Sequence, residues 1–481
     1  MNRILSRKQR ALVLGAGGAF GAYEIGVLKT LCRKLKEQDK RNGEENRLLF
    51  DIIIGTSIGV IIGTILVSIF LKTRSWEYAI EKLEEFFKDT KKGLASDVSE
   101  EDLSKLPCYN RWLDASKNNV KGIASKEAMR RKASSLVGSK NVYYCSKVIG
   151  DNIFYDNENN SWQIYNNQPL KDKILEFAEF PIATSLERNE PRLLICAVDA
   201  LEGQTIVFDS YAKEDGTRKT EFGKYEKETG FEHVITYPGI TIEHVMASAS
   251  VPEYFGYGSV PINQINALSP LSSSSTDNNN KLNNKKDCRL FMDGYLLSSV
   301  PFKELLYFYQ VYWLSRSSTN TDHPIPNLEA YVISLYPSKS NNNINPDDHD
   351  RIICRRNDIL FSDRDSHYEQ MMFNQKMVLV KGITKLIDLV KKSIDKICYE
   401  QVKKEIIEKL EDILEEYTTI KNKNGDPIKY RDLLRPFELK VFRFERKNDK
   451  DCISQGVADF SSQSINDLKA DGERDAFDCF F

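Results

Sequence analysis

The sequence predicts an α/β protein in which a sheet is covered on both faces by helices. Two observations carry that expectation. Short apolar runs too brief for helices alternate with segments of helical spacing. Twice, such a run passes through a glycine-bearing turn directly into an apolar helical stretch, first at Gly15–Gly21 and again at Gly55–Gly59.

In chain order, Ala11–Leu14 reads as a buried strand entering the first glycine turn, and Tyr23–Leu35 follows with helical spacing. Leu48–Ile54 is a second strand, β-branched at its end, and Val60–Leu71 a buried helix. Residues 76–190 are mixed and mostly helical. Leu193–Val198 and Thr205–Asp209, joined by a Glu202-Gly203 turn, form a hairpin, and Leu290–Met292 and Ala330–Leu335 are further strands. A flexible surface insertion is expected around 266–288, because Ser272–Lys286 is low in complexity and rich in Ser, Asn and Lys. Beyond about 375, Ile383, Leu386, Val390, Ile394 and Ile397 step by three or four, as do Val402, Ile406, Leu410, Ile413 and Tyr417. These amphipathic helices are expected to pack on the sheet domain; a dimer seam or a membrane-facing helix are the alternatives.

Composition bounds the function. With 481 residues and 41% hydrophobic content, a large core can form. Lys+Arg 68 against Asp+Glu 70 leaves no basic field for nucleic acid. Nine cysteines, an odd number with no C-x-x-C spacing, argue against a disulfide framework or a zinc site and for a reducing, cytoplasmic setting. Ile52–Leu71 has twenty residues without a charge, long enough to span a bilayer. The turn signature inside it favours a buried strand leading to a buried helix.

Three constellations carry chemistry. In Gly15-Ala16-Gly17-Gly18-Ala19-Phe20-Gly21, glycines let several N–H groups face one concavity at a helix start, a place for a phosphate or an acyl-transfer oxyanion. The dinucleotide fingerprint fails at Phe20, and a phosphate loop would need Gly-Lys-Ser/Thr. Gly55-Thr56-Ser57-Ile58-Gly59 is a G-x-S-x-G turn between strand and helix, which exposes a serine hydroxyl at a helix N-terminus. Asp293-Gly294, ending an apolar strand, offers either a base or an ordinary turn. A Ser-His-Asp arrangement needs one of five histidines, and His367 is the candidate by chain order.

Together these segments resemble the patatin-like phospholipase family. That family carries a glycine-rich oxyanion loop near the N-terminus, a G-x-S-x-G elbow and a D-G-G/A motif. Leu12–Leu28, Gly55–Gly59 and Asp293-Gly294-Tyr295 stand in those roles, in that order. Ala247–Phe255 is similar to the family's A-S-x-x-x-P-x-x-F stretch, and Leu193–Phe208 to the strand pair before it. The resemblance implies a three-layer α/β/α sandwich over residues 8–340 and leaves 341–481 as a mainly helical extension. It implies Ser57 as nucleophile and Asp293 as proton acceptor. Gly17 and Gly18 would be the oxyanion donors, with Gly15, Gly21, Gly55, Gly59 and Gly294 supporting the turns. It further implies a membrane or micellar lipid substrate, peripheral membrane contact, and neither metal nor cofactor; the oligomeric state is left open.

The sequence departs from the family at Ala16, usually Gly, and at Phe20, frequently Arg or Lys. It departs again at Tyr295, usually Gly or Ala, and at Ser299, commonly Asn. Ser57 and Asp293 remain, so activity is expected; a catalytically degenerate lipid-binding scaffold of the same fold and a His-dependent hydrolase using His367 are the alternatives.

Overall fold

A computed structural model describes residues 8–88, 94, 99–104, 109–111, 113–114, 126–137, 144–145, 165–212, 216–218, 220, 235–252, 254–262, 288–317, 325–339, 349–396, 399–421, 427–447, 453 and 456–479. The expected insertion at 266–288 lies outside these residues, Cys288 excepted. The chain forms two compact units. The larger comprises Leu12–Pro301, Tyr331–Asp363 and Arg443–Phe481; the smaller comprises Met1–Ala11, Phe302–Ala330 and Arg364–Phe442.

The strands are β1 (Gln9–Leu14), β2 (Ile52–Thr56), β3 (Arg192–Asp199), β4 (Gln204–Asp209), β5 (Gly258–Pro261), β6 (Cys288–Asp293), β7 (Leu328–Ser334) and β8 (Leu439–Glu445). They form one mixed sheet of order β8-β7-β1-β2-β3-β6-β5, with β4 also paired to β3. Helices α1 (Gly21–Arg41), α2 (Ile58–Thr73), α3 (Trp76–Phe86), α4 (Gln168–Phe177) and α5 (Ile242–Ser248) interleave with the strands. The chain is therefore a mixed α/β protein with a helical C-terminal part. β1, β2, β3 and β7 are buried along their whole length, as the apolar runs at their centres require. β1 starts two residues before the apolar run because Arg10 is buried beside Glu329, which offsets the charge.

The apolar stretch Ile52–Leu71 resolves into β2 and the buried helix α2. Among the described residues no helix is long and apolar enough to cross a membrane.

Within the larger unit, the last helix, α10 (Ser462–Asp478), lies against α1. Their backbones approach so closely that a Cβ on Gly26 would stand 2.0 Å from the Lys469 carbonyl oxygen. One on Gly472 would stand 2.1 Å from that of Tyr23. The Tyr23 hydroxyl donates to Asp475 at 3.3 Å.

The smaller unit holds α6 (Phe302–Ser317), α8 (Arg364–Ile394) and α9 (Glu400–Glu415); Tyr309 of α6 and Phe373 of α8 both pack against Phe437. The helix α7 (His349–Phe361), between α6 and α8 in the chain, belongs to the larger unit. The apolar stripe of α8 does not pack as its periodicity suggests. Ile383, Leu386 and Val390 are exposed, and only its last described member, Ile394, is buried. Ile397 lies outside the described residues.

Candidate active site

The site is built where two strands meet end to end. Cys196 in β3 pairs with Val207 of β4 on one edge and Thr56 of β2 on the other. The next residue, Ala197, pairs with Ile206 of β4 and Asp293 of β6. Since β4 holds one edge throughout, β2 and β6 share the opposite edge. Both finish at the same point along it, β2 running parallel to β3 and β6 antiparallel. Ser57 and Gly294, the residues that leave these ends, are thereby brought together. A Cβ on Gly294 would stand 2.8 Å from Thr56 Cγ2 and 2.6 Å from the Cys196 carbonyl oxygen, so only glycine allows the approach.

Ser57 sits at the start of α2 with φ 57° and ψ −121°. A non-glycine residue in that region is strained by about 1–3 kcal/mol, as expected of a sharp strand-to-helix elbow. Its surroundings enforce the turn. A Cβ on Gly55 would stand 2.6 Å from the Gly59 carbonyl carbon, and one on Gly59 would stand 2.6 Å from the Leu14 carbonyl oxygen. The Ser57 carbonyl accepts from Val60 at 3.0 Å, opening the helix, whose N-terminal dipole favours negative charge at this end.

Asp293 is fully buried. Its Oδ1 accepts the Tyr295 N–H at 3.0 Å, and its own N–H donates to the Ser250 carbonyl at 2.9 Å. The Ser248 hydroxyl accepts the Ser57 N–H at 3.0 Å and donates to the Cys196 carbonyl at 2.5 Å. One short segment therefore holds both residues, Ser57 through Ser248 and Asp293 through Ser250. This gives the Ala247–Phe255 stretch a physical role that the sequence comparison alone did not supply.

The glycine turn borders the elbow. A Cβ on Gly21 would stand 2.5 Å from Ile58 Cγ1, next to the serine. Gly18 adopts φ +54°, the left-handed region that suits glycine. The chain after Asp293 ties the two turns together. The Thr56 hydroxyl donates to the Ser298 carbonyl at 2.9 Å, and the Ala16 N–H donates to the Ser299 carbonyl at 2.8 Å.

Glu24 is a residue whose part the sequence did not reveal. It is fully buried, and its Oε1 accepts the Gly15 N–H at 2.8 Å. Burial pushes its carboxyl well above the usual range, only partly opposed by that hydrogen bond. Burial thus favours the protonated carboxyl at the mouth of the turn. The signal available was a lone acid inside an otherwise apolar helix face.

The histidines fall as follows. His244 is buried in α5, where its Nδ1 accepts the Thr241 N–H at 2.9 Å to close a capping box. Burial lowers its pKa to about 3, so it is neutral at physiological pH. His367 is exposed on α8, in the smaller unit, whereas Ser57 and Asp293 belong to the larger. Among the described residues no cluster of His, Cys, Asp or Glu could hold a metal ion.

A family model described as patatin-like phospholipase matches residues 12–306, more than half of the chain. The chain belongs to the patatin-like phospholipase family, and its class is that of a lipid ester hydrolase. No curated protein matches it. Among solved structures it is similar to the crystal structure of VipD from Legionella pneumophila. The identity is 10% and the TM-score 0.23, with 96% of this chain and 67% of that chain covered. A likeness at that level carries no argument about this chain.

Proposed function

We propose that the chain is a lipid acyl hydrolase of the phospholipase A or lysophospholipase type, acting through Ser57 and Asp293 on fatty-acyl esters of membrane or micellar lipids. The observation that carries this reading is the end-to-end meeting of β2 and β6 on one edge of β3. In the first step the Ser57 hydroxyl passes its proton to the Asp293 carboxylate while Oγ attacks the ester carbonyl. The carbonyl oxygen becomes an oxyanion, held by the N–H groups of Gly17 and Gly18. Losing one such donor costs about a hundred- to a thousand-fold in rate. Collapse breaks the ester C–O bond, and Asp293 returns the proton to the departing alcohol, the deacylated lipid. Water, giving its proton to Asp293, then attacks the acyl-enzyme, and the fatty acid leaves as Ser57 recovers its hydroxyl.

The test is release of fatty acid from phosphatidylcholine or lysophosphatidylcholine dispersions by the purified full chain. Ser57→Ala and Asp293→Asn are each expected to abolish release while circular dichroism stays as in the wild type. Full turnover by folded Ser57→Ala overturns the proposal. Full turnover by Asp293→Asn together with loss in His367→Ala replaces the base with a histidine.

A further inference from the structure

Phe20 stands in the glycine turn Gly15–Gly21, no residue of which is charged. We infer that Arg446, delivered from the C-terminal part of the chain, supplies the positive charge beside the oxyanion turn and fixes the turn in place. It is a positioning residue for the reaction proposed above, and the inference rests on that reading.

The geometry comes from three contacts. The Arg446 guanidinium lies over the Phe20 ring, 3.9 Å from its centroid. Its Nε donates to the Leu335 carbonyl at 2.8 Å, and its backbone N–H donates to the Ser334 carbonyl at 3.0 Å. Leu335 is in turn the residue that braces Gly17, since a Cβ there would stand 2.7 Å from Leu335 Cδ1. Arg446 is only 5% exposed, so its charge acts in a medium that screens it weakly. A planar, always-charged guanidinium can stack on an aromatic face and hydrogen-bond at its edge at once.

The chain that follows closes the other side. A Cβ on Gly456 would stand 2.9 Å from Phe20 Cζ, and one on Gly18 would stand 2.3 Å from the Val457 carbonyl oxygen. Phe20 is thus enclosed between Arg446 and the Gly456–Ala458 turn. An aromatic path leads from there toward Tyr295, two residues beyond Asp293. Phe20 meets Tyr336, Tyr336 meets Phe361, and Phe361 meets Tyr295, with centroids 6.0, 5.3 and 5.1 Å apart. Burial raises the pKa of the Tyr336 phenol, Arg446 opposes that rise and Asp293 adds to it. One side chain therefore senses both the arginine and the aspartate.

Phe20 and Arg446 suit each other as ring and cation. An arginine at position 20 would press a second cation onto Arg446 in a buried place, whereas a phenyl ring attracts it. This yields a double-variant test. The proteins are the wild type, Arg446→Met, Phe20→Arg and the pair combined. The readouts are kcat/KM on a p-nitrophenyl acyl ester, the rate of fluorophosphonate labelling and the thermal midpoint. Arg446→Met is expected to lower both rates by about tenfold or more, short of the roughly hundred- to thousand-fold cost of losing a donor outright because Arg446 acts through the turn. Phe20→Arg alone is expected to lower them too, and the combination to recover most of the loss. Arg446→Lys, which keeps the charge, is expected to lose less than Arg446→Met and serves if the latter does not fold.

The inference is overturned if Arg446→Met stays within twofold of the wild type. It is equally overturned if Lys and Met lose the same activity, or if the folded combination is no faster than Arg446→Met. Ser57→Ala separates the two levels. Labelling that survives this change removes the Ser57 reading itself, whereas labelling lost in Ser57→Ala but unmoved in Arg446→Met removes only the role of Arg446.

Discussion

The two strand-to-helix turns of the larger unit look alike in sequence but are held in different ways. The serine elbow is shaped mainly by the glycines of its own motif, with Ser248 and Ser298 adding hydrogen bonds from farther along the chain. Gly55 lies against Gly59, Gly59 lies against the end of β1, and Ser57 carries the strained backbone. The glycine turn is secured from a distance. Gly17 rests on Leu335, Gly18 on Val457, and Phe20 lies under Arg446, residues more than three hundred positions away. The proposed nucleophile is aimed largely by sterics within its own motif, whereas the proposed oxyanion donors take their shape from residues far along the chain. Activity can therefore be lost without touching any residue of the three motifs.

The comparison is most sharply tested by adding a single methyl group at each turn. Gly59→Ala would drive a Cβ to 2.6 Å from a backbone carbonyl at the centre of the sheet. It is expected to cost more than about 3 kcal/mol, seen as loss of soluble folded protein or a steep fall in the urea midpoint. Gly472→Ala, far from the site in sequence, would place its Cβ 2.1 Å from the Tyr23 carbonyl oxygen between α10 and α1. A loss of about 1–3 kcal/mol is expected, because α10 can shift where the sheet cannot. Activity should fall at temperatures where the protein is still folded, because α1 carries the glycine turn at its start. Equal effects from the two substitutions would remove the distinction between local and remote support.

A smaller effect is expected at Glu24. Its folded-state pKa is raised above the usual 4.5, so on raising the pH the unfolded chain ionises first. Stability is then lost from about that pH upward until the folded carboxyl itself titrates. Glu24→Gln cannot ionise and can still accept the Gly15 N–H. Its thermal midpoint should exceed that of the wild type by more at about pH 8 than at about pH 5. A gap that does not change with pH would mean that Glu24 is charged in the folded protein.

The legibility of the site in the sequence follows the same division. Ser57, Asp293 and the glycines sit on short motifs between apolar strands and helices, and both turns and the β3–β4 hairpin fall where the pattern put them. The meeting of β2 with β6 was not legible, because two strands sharing one edge leave no mark on either sequence. Ser248 lay inside a recognisable stretch, but its hydrogen bonds to both Ser57 and Cys196 depend on the register of three segments. Glu24 stood in plain view within the first helix, and its meaning required knowing that its face is buried. Arg446 carried no local signal, since a basic residue after a strand is ordinarily solvated. The stripe along α8 shows the reverse failure: the helix buries Phe373, Met377 and Val380, whereas Ile383, Leu386 and Val390 of the periodic stripe are exposed.

The proposed reaction requires a serine made nucleophilic by one aspartate. The direct measurement is the second-order rate of fluorophosphonate attachment to the full chain, with the modified peptide located by mass spectrometry. The account predicts a single adduct on Ser57, formed rapidly in the wild type and at least about a hundredfold more slowly in Asp293→Asn, as general-base loss requires. Attachment to another residue, or at an undiminished rate in the folded Asp293→Asn protein, would contradict it.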